Sequence, residues 1–196
     1  MNTMKTFTSL VSAAFVLLSM KGITQTVSDT TKVGLAADSV TTINLMPSQE
    51  AELAYNAGIE KMKIGDYKSA IEQFDEAIKL KSNWGKAYFN RAISKSNLED
   101  YRGAIADYSK AIEIDSNDKE AYYNRGISKY KLQDYRGAIA DYNKAIEIDP
   151  NYKEAYFYRG LDKLVLGEKD SGCLDISKAG ELGHEGAYDA IKALCN

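Results

Sequence analysis

A chain of 196 residues, 44% hydrophobic and at formal charge −3, has the size and apolar content for one packed domain with a tail. Its acidic balance repels phosphate backbones and argues against nucleic-acid binding. One histidine and two cysteines cannot supply the four N/S ligands of a structural zinc site.

Residues 1–24 read as a secretory signal peptide. Lys5 and the amino terminus give a short positive start, and Phe7 to Met20 (FTSLVSAAFVLLSM) is uncharged and largely apolar. At about 1.5 Å per residue that run reaches roughly 21 Å, short of a bilayer core of about 30 Å. Gly22 and Thr24 are small residues at −3 and −1 of a cleavage before Gln25. An uncleaved anchor and a buried N-terminal helix are the alternatives. The absence of cysteine near the junction leaves lipid attachment unsupported. Residues 25–47, rich in Thr, Ser, Val and Asp without a helical period, read as a flexible spacer.

From residue 51 onward the chain repeats itself. Asp-Tyr-Arg-Gly-Ala-Ile-Ala-Asp-Tyr occurs at 100–108 and again at 134–142, and Lys-Ala-Ile-Glu-Ile-Asp at 110–115 and 144–149. The offset of 34 extends to four units: 51–84, 85–118, 119–152 and a degenerate 153–186. Positions 8, 20 and 27 of each unit are Gly or Ala (Gly58, Ala70 and Ala77 in the first), which lets two helices approach closely. Position 24 (Phe74, Tyr108, Tyr142, Ile176) and position 28 (Ile78, Ile112, Ile146) carry larger apolar residues to fill the gaps. Asp66, Asp100 and Asp134 at position 16 suit the start of a second helix, and Pro150 falls where the second helix of unit three has stopped. Unit four replaces that Asp by Glu168 and the position-28 Ile by Gly180. After the turn Gly183–Gly186, Ala190, Ile191 and Leu194 have the spacing of a capping helix over 187–196.

Arg91, Arg125 and Arg159 at position 7 occur together with Asp107, Asp141 and Asp175 at position 23, and both are missing from unit one, where Ala57 and Gln73 stand. The co-occurrence predicts a bidentate, partly buried Arg–Asp bridge within each of the three units. Recent duplication is the alternative.

A period of 34 with this pattern resembles the tetratricopeptide repeat, over about 136 residues. The resemblance, to an exported bacterial protein of that type, implies an all-α solenoid: a right-handed superhelix of helix-turn-helix units over 48–196, with a C-terminal cap. It also implies that first helices line a concave groove through positions 2, 5, 6, 9, 12 and 13. Position 5 is aromatic (Tyr55, Phe89, Tyr123, Phe157), position 9 aliphatic (Ile59, Ile93, Ile127, Leu161), and position 6 is Asn56, Asn90 and Asn124 before changing to Tyr158. In some relatives an Asn row at position 6 holds the backbone of an extended peptide, which one amide can do by donating and accepting. Positions 5 and 9 have a plainer use, packing between first helices. The family's clamp for chaperone C-termini is not expected: only Asn90 matches it, and Tyr55, Ile59, Glu120 and Asn124 stand at other clamp positions. The spacer, through Ile43, Leu45 and Met46, is a candidate occupant of the chain's own groove.

Cys173 and Cys195 lie equidistant from residue 184 in the turn, so an antiparallel helix pair would bring them together as a disulfide. Two free thiols are the alternative. His184, between glycines, reads as a solvated turn residue, and no nucleophile elbow, phosphate loop or dinucleotide fingerprint occurs. The expectation is a periplasmic or secreted, monomeric, non-catalytic scaffold without cofactors or stable membrane insertion, binding a protein or peptide in its groove. The alternative is a structural subunit of a cell-envelope complex that uses its convex face or edges.

Overall fold

The computed structural model describes residues 46–195; the leader at 1–24 and all but the end of the spacer at 25–47 lie outside the described residues. Nine helices form among the described residues, with no strand: α1 (Pro47–Lys63), α2 (Tyr67–Leu80), α3 (Gly85–Asn97), α4 (Tyr101–Ile114), α5 (Lys119–Lys131), α6 (Tyr135–Ile148), α7 (Lys153–Val165), α8 (Lys169–Glu181) and α9 (Ala187–Leu194). Each unit is one hairpin, α1/α2 through α7/α8. Every consecutive pair of helices is in contact, and the first helices of neighbouring units also touch.

The helix starts follow local chemistry. Pro47 opens α1 at a position that needs no N–H donor. The carboxylates of Asp66, Asp100 and Asp134 accept from the backbone N–H of Ser69, Gly103 and Gly137, at 3.2, 2.9 and 3.0 Å. Asp118 caps α5 in the same way, from Ala121 N at 2.9 Å. Glu168, one methylene longer, makes no such cap at α8. The unit that has diverged in sequence has also lost its N-cap bond.

Small residues carry the hairpin interiors. The Gly and Ala residues at positions 8, 20 and 27 are all buried. Phe74, Tyr108, Tyr142 and Ile176 are almost wholly buried among them, each contributing on the order of 2 kcal/mol by leaving water. Gly180 has its own reason. A Cβ there would lie 3.2 Å from that of Ala187, so the missing side chain lets α9 settle against α8. Cys173 on α8 and Cys195 after α9 form a disulfide, with Cα atoms 5.8 Å apart, that ties the cap down.

Candidate functional site: the face of the first helices

Residues at positions 2, 5, 6 and 9 share one face of α1, α3, α5 and α7 because they recur every three or four residues. Tyr55, Phe89 and Asn90 border one depression of about 310 Å³ together with Lys86, Asp118 and Glu120. Units one, two and three therefore contribute to a single continuous surface. The amide Nδ2 of Asn90 donates to the Tyr55 hydroxyl at 2.9 Å, joining units one and two across the groove floor. Asn124 donates instead to the Glu120 carbonyl one turn back, at 2.8 Å, and Asn56 is exposed. Each of Asn90 and Asn124 keeps a second amide hydrogen and its carbonyl oxygen for another partner.

The aromatic row is half-buried. Tyr55 lies 4.6 Å from Trp84 between ring centroids, Phe89 lies 5.7 Å from Tyr108, and Tyr123 lies 5.2 Å from Tyr152 and 5.9 Å from Tyr158. Ile93, Ile127 and Leu161 pack on the cores of their units, and Ile59 is half-buried at the same register. Negative charge gathers at the centre of the face. Burial and then the carboxylates of Glu120, Glu154, Asp118 and Asp149 push the ionisation of Tyr152 upward. Burial, opposed by the cap bond from Ala121 and reinforced by Glu120 and Asp115, also raises Asp118 above the usual carboxylate range.

Behind the groove, a charged ladder sets the spacing of the units. Arg91, Arg125 and Arg159 each hold the Asp of their own unit through Nε and Nη2, at 2.5–2.9 Å. Their remaining Nη1 reaches back to the preceding unit: Asp75 at 2.5 Å, Ser109 at 2.9 Å and Asn143 at 2.6 Å. The same carboxylates pair with Lys95, Lys129 and Lys163 at 2.7, 2.8 and 2.7 Å. The guanidinium fork suits this double role because its donors are fixed in one plane.

Models of the tetratricopeptide repeat match residues 51–83 and 120–152, and a model of the TPR repeat matches 97–133, on the units just described. The chain is a tetratricopeptide-repeat protein. Solved TPR structures resemble it across most of the described region. MamA superposes with a TM-score of 0.67 at 26% identity, over 70% of this chain and 81% of that one. The Arabidopsis OM64 TPR domain gives 0.60 at 28% identity, over 61% and 99%. The first TPR of Spaghetti (RPAP3), bound to the HSP90 peptide SRMEEVD, gives 0.60 at 26% identity, over 61% and 95%. No curated protein sequence matches the chain.

Within the TPR frame, the sequence reading missed several groups. The position-11 lysines are present in all four units, a signal as plain as the arginines; in unit one, which lacks the acceptor, Lys61 turns to Asp66 at 3.6 Å. The position-25 acceptors were invisible because Asp75, Ser109 and Asn143 share no residue type. His184 needs correction. It is stacked on Phe157, centroids 4.0 Å apart and planes within 14°, because the turn folds over α7 as the cap doubles back. Asp162 is buried, yet neither carboxylate oxygen has a hydrogen-bond partner, and burial pushes its pKa to about 7.

Proposed function

We propose that this protein is a scaffold that holds an extended segment of another polypeptide along the face of α1, α3, α5 and α7, through binding alone and without catalysis. The observation that carries the reading is the depression shared by Tyr55, Phe89, Asn90 and Glu120, in which three successive units present side chains to one ligand-sized space. The peptide-bound Spaghetti TPR domain supports it by analogy of fold. The spare hydrogen-bonding capacity of Asn90 and Asn124 suits peptide backbone, and half-buried aromatic rims suit side-chain anchors. Crosslinking in native cells followed by mass spectrometry identifies the partner. Asn90→Ala with Asn124→Ala should then abolish capture, and undiminished capture would overturn the groove reading.

A second reading has one observation in its favour. Leu174 is 71% exposed on α8 at a position where the other units carry Glu72, Ala106 and Ala140, so the far side of unit four offers apolar contact to a larger complex. Loss of the partner with Leu174→Glu but not with the Asn variants would favour it. We further propose export to a periplasmic or extracellular space. The leader-like residues 1–24 and the Cys173–Cys195 bridge support it, since such bridges persist in oxidising compartments. No helix among the described residues is long and apolar enough to cross a membrane.

A further inference from the structure

The groove is not chemically neutral along its length. Tyr123 and Tyr152 stand 5.2 Å apart, with Tyr158 5.9 Å from Tyr123, and position 2 of units three and four places Glu120 and Glu154 on the same helix face. Where the resemblance to the family's chaperone clamp calls for lysine, this chain has Glu120. The site already receives one ammonium group. Lys119 Nζ lies 5.1 Å from the Tyr152 ring centre, 2.5 Å from Asp149 and 3.9 Å from Glu120. That lysine is committed to Asp149; Lys86 borders Asp118 and Glu120, and Lys153 borders Glu154, so the four carboxylates around the tyrosines outnumber the three lysines beside them.

We propose that the groove selects a basic segment of its partner, seating a lysine or arginine side chain against Tyr123 and Tyr152 within reach of the Glu120 and Glu154 carboxylates. The inference rests on the groove reading above. Two physical facts support it. Electron-rich ring faces and carboxylates attract the same cation, and a half-buried setting screens that attraction less than bulk water does. The upward push of neighbouring carboxylates on Tyr152 and Asp118 reports a negative potential at this spot that a bound cation would relieve. A clamp-bound acidic tail would meet repulsion here instead.

The test is fluorescence anisotropy of the full chain with three short fluorescein-labelled peptides that alternate serine with lysine, glutamate or glutamine. Glu120→Gln with Glu154→Gln is compared with Glu113→Gln plus Glu147→Gln, an exposed pair on second helices that changes net charge equally. The expected result is tightest binding of the lysine peptide, weakened about tenfold by the groove pair and less than about twofold by the surface pair. Equal weakening by both pairs would mean bulk charge attraction and would overturn the proposal. So would a glutamate or glutamine peptide binding as tightly as the lysine one, or no lysine-peptide binding up to about 1 mM. If Asn90→Ala with Asn124→Ala weakens whichever peptide binds, the groove reading survives loss of the cation proposal. If those variants change nothing, the groove reading fails on its own.

Discussion

Arg125 and Asp141 are joined by two parallel hydrogen bonds, Nε to Oδ2 at 2.9 Å and Nη2 to Oδ1 at 2.7 Å, with Asp141 almost wholly buried. The guanidinium also reaches Ser109 of the unit before, so one side chain fixes both a hairpin and its stacking. Arg125→Ala strands a buried carboxylate with only Lys129 for company and is expected to cost about 3 kcal/mol in urea unfolding. Replacing both partners by Met and Leu should cost less than the single change, because no buried charge is then left behind.

Asp162 gives the stability a pH dependence of known sign. Its folded-state pKa is raised by burial to about 7, so in the folded chain it keeps a proton that the unfolded chain releases near its ordinary value of 3.8. The folded state binds more protons between those limits, and stability from this group is therefore lost as pH rises from about 4 to about 7. Units two and three place Ser94 and Ser128 at the same position, each donating to the backbone carbonyl one turn back, at 2.9 and 3.0 Å. Asp162→Ser should raise the melting temperature at pH 8, by about 1–2 kcal/mol in stability, and have less effect at pH 5. An effect independent of pH would show that the carboxylate does not titrate there.

The hairpin turns offer a backbone test. Gly65 and Gly167 have φ of 77° and 82°, and the equivalent Glu99 and Gln133 have φ of 62° and 63°. A side chain in this left-handed region costs about 1–2 kcal/mol, partly offset because glycine gives the unfolded chain more freedom. Glu99→Gly and Gln133→Gly should each stabilise by about 0.5 kcal/mol, read as a higher urea midpoint with unchanged slope.

The disulfide is expected to act locally. Cys173 and Cys195 are 22 residues apart, and opening a loop of that size should cost about 3 kcal/mol, concentrated in α9. Hydrogen exchange of the Cys173→Ala, Cys195→Ala chain should therefore accelerate in Ala187–Leu194 while α1–α6 stay protected. Uniform acceleration along the chain would contradict a local staple.

Much of this architecture could be read without coordinates. The small residues at positions 8, 20 and 27 and the aspartates at position 16 act over three or four residues or across one hairpin, and the repeat displays them several times over. The Arg–Asp pairs were legible for the same reason, because each pair recurs or is missing as a pair. Glu168 shows the reverse side of that legibility. Its loss of the cap bond follows from one extra methylene, visible only against three intact copies.

The sequence by itself determined the period, the helical hairpins and the face on which the Asn and aromatic rows lie, and it offered the pairing of the two cysteines, with free thiols as the alternative. These depend on contacts between neighbours in the chain or mirror positions about one turn. Only the tertiary structure decided that Arg125 also reaches Ser109, that His184 covers Phe157, that Asp162 is buried without a partner and that Tyr152 sits amid four carboxylates. The His184–Phe157 stack depends on how the turn before the cap folds back over α7 within unit four, and the others on how one unit is set down upon another. Stacking brings together residues of unlike type from different units, and no single-copy pattern records their meeting.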